Sequence, residues 1–124
     1  MSYAVRTAGQ AETARIAEDW GSLNWLASKQ IGNAEGVTVG RVIIKPGHTN
    51  PRHSHSTCEE VLHLLSGKLE HQIGDQWVTL EAGDTLTVPA NVAHYAVSVG
   101  DEDADMIVAY SSGARDFIPE PLET

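Results

Sequence analysis

The sequence predicts an all-β protein, built as an antiparallel sandwich or barrel. Short β-branched or alternating runs recur after residue 20, and Gly, Pro, Asn or Asp separates them roughly every 8–12 residues. Residues 37–44 end at the turn signal of Pro46 and Gly47, and residues 69–73 alternate apolar and polar side chains. The other predicted strands are 61–65, 77–80, 86–88, 94–99 and 106–110. Residues 11–19 are the only helical candidate, and they have no clear apolar stripe.

Length and composition fit one domain. The chain has 124 residues, of which 41% are hydrophobic, and this suffices for a single buried core. It contains no run of about 18 apolar residues. The first ten residues do not have the basic stretch followed by an apolar one that marks a secretory signal. We therefore expect a cytoplasmic protein without a membrane segment.

Three regions are predicted along the chain. Residues 1–35 form an N-terminal extension that would add a strand or serve as a dimer arm. Residues 36–111 form the barrel. Residues 112–124 contain two prolines and few apolar residues, so we expect a loosely ordered tail.

Charge and residue usage narrow the range of partners. With 17 acidic and 8 basic residues the net charge is −9, and such a surface repels nucleic-acid phosphates, so we expect no nucleic-acid partner. The single cysteine, Cys58, allows neither a disulfide within the chain nor a thiolate cluster for structural zinc. Five of the six histidines lie between residues 48 and 71. Because histidine is the commonest metal ligand in proteins, this clustering indicates a metal site.

The first group of candidate ligands is His53, His55 and Glu60. Residues two apart on a strand point to the same side, so His53 and His55 aim at one point. Glu60 approaches that point if it begins the next strand, and Leu62 and Leu64 on its face would form an apolar floor. Two imidazoles and a carboxylate suit a first-row divalent metal.

His94 completes the candidate site. Pro89 ends one strand, Asn91 tolerates a left-handed turn, and His94 enters the next strand. In an antiparallel barrel this hairpin brings His94 against the first three ligands. Three neutral nitrogens and one carboxylate oxygen leave positions open on a six-coordinate metal, unlike the closed thiolate sites of structural zinc.

These residues also carry a family resemblance. The spacing of Gly47, His53, His55, Glu60 and Gly67 resembles in full the first motif of the cupin superfamily. The resemblance covers roughly residues 36–111, the whole predicted barrel.

The second cupin motif is matched at Gly83, Pro89 and His94. Asn91 stands where the family usually has glycine, a mild change because Asn tolerates the same backbone geometry. Ser98 stands where the family usually has asparagine. This change leaves the candidate ligands alone but alters hydrogen bonding near the pocket.

The resemblance implies a single-domain double-stranded β-helix, or jelly-roll barrel. It also implies that the three histidines and the glutamate bind one divalent ion, such as Fe, Mn, Ni, Zn or Co. Cupins similar to this chain often pair through sheet edges or N-terminal strands, which implies a homodimer. Members include dioxygenases, isomerases, lyases and non-catalytic binders, so the fold does not settle the function.

Several further residues near the predicted site are considered for a role in it. Glu59 is the rival carboxylate, but Glu60 has the motif's distance to Gly67 and is preferred. His71 is interpreted as a barrel-wall histidine rather than a ligand or base, and Cys58 as a small loop residue. Arg41 is expected to be solvated. The roles that stay open are a pocket contact for Ser98, cavity lining by Met106 or Tyr110, and a pocket cover, a dimer interface or a core position for Trp20 and Trp25.

The predicted site would attract a small ligand with oxygen donors. A dication with one carboxylate ligand keeps a positive charge, and two adjacent open positions can chelate a carboxylate, enolate or hydroxy-ketone. Lewis-acid polarisation then supports isomerase or lyase chemistry, and Fe(II) with these ligands supports dioxygenation. We expect a metal-dependent enzyme of one of these kinds, with its catalytic residues unknown. The alternative is a non-catalytic small-molecule binding or sensor cupin.

Overall fold

Strands make up nearly all the regular structure of the chain. The computed structural model describes residues 2–122, in which one short helix, α1, spans Ala8–Thr13. No helix in this described part is long and apolar enough to cross a membrane. Every strand predicted from the sequence is present within two residues of its predicted bounds. The strands are β1 Ile16–Glu18, β2 Gly21–Ala27, β3 Thr38–Ile44, β4 His53–Ser54, β5 Glu60–Ser66, β6 Lys68–Ile73, β7 Gln76–Glu81, β8 Thr85–Val88, β9 His94–Ser98, β10 Ala104–Tyr110 and β11 Ile118–Pro119.

The strands form two antiparallel sheets. One has the order β1-β2-β3-β10-β5-β8, and the other has the order β11-β4-β9-β6-β7. From β3 to β6, and again from β7 to β11, every connection carries the chain from one sheet to the other. This crossing pattern is that of the jelly roll, so the predicted fold class is confirmed.

The barrel interior changes from apolar to polar along its strands. Alternate residues of β5 face inwards, namely Glu60, Leu62 and Leu64. Leu64 is completely buried in the apolar core, where burial of such a side chain contributes about 1.5–3 kcal/mol. At the other end of the strand, Glu60 lies opposite Tyr110 of β10. The candidate ligands therefore lie at one end of a barrel whose other end is filled with apolar side chains.

The N-terminal region differs from the helix considered at 11–19. Helix α1 begins earlier because Thr7 and Gln10 form a capping box, in which the Gln10 N–H donates to the Thr7 hydroxyl at 3.1 Å. It ends at Thr13, and residues 16–18 form β1 instead, pairing with β2. Because β2 pairs in turn with β3, this region supplies two of the six strands of that sheet.

Strand β2 places Trp25 against the barrel interior. The indole crosses β3 at Gly40, where a Cβ atom would lie only 2.6 Å from the ring. The centroid of the Trp25 ring lies 6.2 Å from that of Tyr110, the last residue of β10. Gly40 thus allows an aromatic ring to reach the end of the barrel that holds the candidate ligands.

The described part of the C-terminal region, residues 112–122, runs beside β4. Strand β11 pairs with β4 so that Pro119 lies opposite His53. The last two residues of the predicted tail, 123 and 124, lie outside the described residues. The segment therefore lies against the strand that carries the first candidate ligand.

Candidate metal centre

The four candidate ligands meet at the polar end of the barrel. Each of His53, His55, Glu60 and His94 offers one ligand atom, and these atoms lie within 4.8 Å of one another. The four residues are buried, with only 2–7% of each exposed. Gathering so many polar groups away from water is costly unless they share a partner. The geometry favours a bound cation as that partner.

Strand register and one turn bring the four side chains together. His53 of β4 lies directly opposite His94 of β9, and Glu60 begins β5 in the facing sheet. Asn91 has a φ of 67° in the turn before β9, as the sequence predicts. Its N–H donates to the His55 carbonyl at 2.7 Å, so the same turn holds the residue after β4 in place.

Backbone carbonyls fix the orientation of all three imidazole rings. In each ring Nδ1 lies within hydrogen-bond distance of a backbone oxygen. Because a carbonyl only accepts, Nδ1 carries the proton and the Nε2 lone pair is left for a metal. The acceptors for His53, His55 and His94 are, in that order, the backbone oxygens of Pro51, Asp116 and Val92.

The protonation states of the four side chains suit a bound cation, which would displace one proton from them. Glu60 Oε1 lies 3.2 Å from His94 Nε2 and 3.3 Å from His55 Nε2. Burial opposes ionisation of Glu60, but its close contacts with His55 and His94 outweigh that effect and hold its pKa well below the usual range. Burial and the neighbouring His94 lower the pKa of His53 to about 4. Burial also acts against the His94 cation, but Glu60 raises its pKa, so metal binding would displace that proton.

A cavity of about 180 Å³ lies beside the four side chains. His53, Glu60 and His94 line it directly, whereas His55 is not part of its wall. Of the roles left open by the sequence, Met106 and Tyr110 both line the cavity, and both tryptophans also face this space. Aromatic and apolar side chains form most of the remaining wall, among them Trp20, Leu23, Trp25, Leu62, Met106 and Tyr110.

His71 lies on the cavity wall, outside the group of four. It is 2% exposed, and its ring stacks on that of His94 with centroids 5.9 Å apart. Its Nδ1 lies 3.1 Å from the Gln72 carbonyl, and burial lowers its pKa to about 4. His71 is therefore neutral at pH 7, and it borders the space a ligand would occupy.

The other residues considered from the sequence lie away from the cavity. Glu59 is exposed, and Cys58 is buried in the apolar core. Arg41 is solvated, and its Nε donates to Asp105 at 2.8 Å. Ser98 is fully buried at the far end of β9, where its hydroxyl has no hydrogen-bond partner among residues 2–122.

Asp116 binds the loop that follows His55. Its carboxylate accepts hydrogen bonds from the backbone N–H and hydroxyl groups of Ser56 and Thr57, and these bonds lower its pKa. Asp116, His55 and Cys58 also lie close enough to suggest a second metal group. Because the carboxylate is occupied by four donors, we interpret Asp116 as a loop cap that positions His55.

Two further cavity residues were missed by the sequence analysis. Phe117 stacks on His53, with centroids 4.7 Å apart and planes 19° from parallel. The Arg115 guanidinium lies 4.4 Å from the centroid of Trp25. The tail has no periodicity to reveal such contacts, and the only signal is an aromatic residue in a stretch rich in proline and charge.

Comparison with known families identifies the chain. The family model described as the cupin domain matches residues 40–110, more than half of the chain. The chain is a cupin. The match runs from β3 to β10 and contains all four candidate ligands, so the family resemblance stated from the two motifs is confirmed.

Related proteins share this cupin's sequence over part of their length. Germin-like protein 3-8 of Oryza sativa subsp. japonica is 34% identical over 85 residues, which cover 64% of this chain and 38% of the relative. Oxalate oxidase GF-2.8 of Triticum aestivum is 31% identical over 98 residues, covering 73% and 44%. The cupin thus spans less than half the length of these curated relatives. A crystal structure of Lactobacillus farciminis oxalate decarboxylase in a formate complex shares the fold, with a TM-score of 0.79 and 21% identity over 85% of this chain and 32% of that one.

The donor set of this cupin fits a divalent metal ion. Three imidazole nitrogens and one carboxylate oxygen are common ligands of first-row divalent metals. In the described part of the chain, Nε2 of His55 is buried without a hydrogen-bond partner of good geometry, although it lies beside Glu60. A cation at the centre of the group would satisfy that nitrogen, and four protein ligands leave coordination positions for a small molecule.

Proposed function

We propose that this cupin is a metal-dependent enzyme that acts on a small carboxylate. In this proposal His53, His55, Glu60 and His94 are the metal ligands, and the adjoining cavity holds the substrate. The proposal depends on one observation. Three oriented Nε2 atoms and one ionised carboxylate converge on a buried point, and a cavity lies beside that point.

The size of the cavity limits the substrate. A volume of about 180 Å³ is below the range of roughly 300–1,000 Å³ typical of sites for drug-sized ligands. A molecule of a few heavy atoms fits this space better than a sugar or a nucleotide. The names of the relatives, oxalate oxidase and oxalate decarboxylase, support a small oxygen-rich anion of the same class.

The cavity residues divide the work of binding and orientation. A divalent ion held by the four ligands supplies a Lewis acid and open positions for substrate oxygens. Asn50 lies on the wall with its side-chain oxygen bonded to the Ala96 N–H at 2.8 Å, so its NH₂ group is the end it presents to a ligand. His71, neutral and buried, offers a nitrogen on the same wall. Apolar and aromatic neighbours exclude water, which strengthens these polar contacts.

The proposal has an oxygen-dependent and an oxygen-independent form, and two reactions of oxalate illustrate them. Oxidation transfers two electrons from oxalate to dioxygen and, with two protons, gives two CO₂ and H₂O₂. Decarboxylation converts oxalate and one proton into formate and CO₂ without net electron transfer. Lyase or isomerase reactions of other small carboxylates would use the same metal site without oxygen.

Metal analysis followed by turnover assays tests the proposal. Protein expressed in metal-replete medium should contain about one divalent ion per chain by elemental analysis. It is then incubated with oxalate and with a panel of small hydroxy and keto carboxylates, with and without oxygen, and formate, CO₂ and H₂O₂ are measured. Metal-free protein from metal-replete cells would contradict the site. A metal-loaded protein that binds carboxylates without turnover would support the binding or sensor alternative instead.

A further inference from the structure

Arg115 lies in an unusual setting on the cavity wall. Its guanidinium is held among three aromatic rings, 4.4 Å from the centroid of Trp25, 5.2 Å from that of Tyr110 and 5.8 Å from that of Phe117. The residue is only partly exposed and borders the 180 Å³ cavity beside the candidate ligands. Aromatic rings placed in this way attract the flat face of a guanidinium group.

The charge of Arg115 is not neutralised by the described part of the protein. Among residues 2–122 no carboxylate forms an ion pair with it, and its guanidinium donates no hydrogen bond. By contrast, Arg41 forms a two-pronged ion pair with Asp105. In a chain with 17 acidic and 8 basic residues, a partly buried arginine without an acidic partner indicates an anion from outside the chain.

Stacking leaves the hydrogen-bonding edge of the guanidinium free. An arginine that uses its face against aromatic rings keeps N–H donors that match the two oxygens of a carboxylate. The metal centre is one ring away, since Tyr110 contacts both Arg115 and His55, with ring centroids 5.0 Å apart in the latter pair. Phe117 makes a second link, because it also stacks on His53.

The surroundings of Trp25 and Arg115 on the side away from the candidate ligands favour the entry of an anion. Trp25 and Arg115 also border a more open cavity of about 620 Å³, which we call the outer cavity. Arg6 and Lys29 lie on its wall, and none of its lining residues is acidic. Cations gathered at one opening of an acidic protein raise the local concentration of anionic ligands. Arg115 stands between this opening and the cavity beside the metal ligands.

We propose that Arg115 selects the substrate by binding the second carboxylate of a small dicarboxylate whose first carboxylate lies at the metal centre. This inference rests on the proposed function, because it assumes that a metal ion holds the first carboxylate. It narrows the substrate class from small carboxylates in general to those with two anionic ends. The aromatic rings hold the guanidinium in place, so little side-chain freedom is lost when the ligand binds.

Paired ligands that differ by one charge test this role. Malonate and succinate are compared with their monoamides, malonamate and succinamate, by isothermal titration calorimetry. The protein is loaded with Zn²⁺, which has no redox chemistry. The wild-type protein should bind at least one dicarboxylate about 10- to 100-fold more tightly than its monoamide, the range expected for hydrogen bonds to a charged group.

Three variants locate the preference on Arg115. Arg115→Met should remove the preference for the dicarboxylate while leaving the affinity for the monoamide within about threefold of wild type. Arg115→Lys keeps the charge but loses the planar fork, so it should retain only part of the preference. Lys45→Met is the control, because it removes the same charge at an exposed position whose ammonium group donates a hydrogen bond to the Asp19 carbonyl. Tryptophan fluorescence and circular dichroism verify that each variant is folded.

The outcomes separate this inference from the proposed function. If Zn²⁺ and the monoamides bind normally but Arg115→Met keeps the wild-type preference, or wild type has none, the role of Arg115 is refuted and the metal site stands. If the wild-type protein takes up no Zn²⁺, both proposals fall. Should Arg115→Met be unfolded, the Arg115→Lys variant decides, because an undiminished preference there contradicts binding by the planar fork.

Discussion

The cavity of this cupin has two walls that are built in different ways. The barrel wall carries His53, Glu60 and His94 on strands whose pairing fixes where each side chain points. The tail wall, residues 115–117, lies beside a two-residue strand and is attached to the barrel mainly by the carboxylate of Asp116. Ladder hydrogen bonds hold the first wall, whereas side-chain contacts hold the second. We infer that the barrel wall determines metal binding, and that the tail wall tunes ring orientation and ligand choice.

The largest effect should come from a candidate ligand on the barrel wall. Glu60→Gln removes the one negative charge among the four candidate ligands, so we expect metal affinity to fall at least about 100-fold, beyond the 10- to 100-fold typical of groups that only support a ligand. Glu59→Gln is the matched control, because the neighbouring carboxylate is exposed. Competition with a chelator of known affinity measures both. Equal losses in the two variants would contradict the assignment of Glu60.

The pH dependence of the metal-free protein tests the burial of the barrel wall. The pKa of His53 and that of His71 are each lowered from 6.5 to about 4 by burial. The unfolded chain therefore takes up protons at a pH where the folded chain does not, so stability falls as the pH drops from 6.5 to 4. His53 alone accounts for about 3 kcal/mol in this window.

Other groups modify that pH profile in known directions. Glu60 adds a further loss below pH 4.5, because its pKa is lowered in the folded state. His94 acts the opposite way, since its raised pKa favours folding at low pH. Urea titrations of metal-free protein at pH 7 and pH 4.5 measure the difference. A free energy of unfolding that does not fall from pH 7 to pH 4.5 would contradict a net loss dominated by the buried His53 and His71.

The barrel wall could be predicted from the sequence, because its information is local. The spacing of His53 and His55 sets their common direction, and the turn at Asn91 sets the entry of His94. Glu60 was separated from Glu59 by its distance to Gly67 and is buried, while Glu59 is exposed. Strand alternation and turn residues express these relations in a few neighbouring positions.

The tail wall could not be predicted, because its contacts have no period. Arg115 reaches Trp25, which is 90 positions earlier in the chain, through a cation–π contact that leaves no pattern in either segment. Phe117 stacks on His53, and Asp116 binds a loop more than 50 positions earlier in the chain. Such pairings depend on how the finished barrel presents its surface, so only the structure reveals them.

Removing the attachment of the tail should have an intermediate effect. Asp116→Ala deletes the carboxylate that binds Ser56 and Thr57, and so loosens the carbonyl that orients His55. We expect about a 10-fold loss of metal affinity, in the range for groups that support a ligand. Asp116→Asn keeps one acceptor oxygen and should lose less. If both variants bind metal as tightly as wild type, the tail has no role in positioning His55.

The smallest effect should come from Phe117, which covers the candidate ligand His53 without bonding to it. Its ring stacks on His53 and is itself 46% exposed, so Phe117→Ala opens His53 to water without removing its hydrogen bond to Pro51. Metal affinity should change by about threefold or less, since ring orientation is kept. In the metal-free protein the pKa of His53 should rise from about 4 towards 6.5, because burial is the main cause of its shift. NMR titration of the imidazole protons measures this change, with Phe117→Leu as the control that keeps an apolar cover. A pKa that does not move would assign the burial of His53 to the barrel wall alone, and the tail would then act only on the ligand side of the cavity.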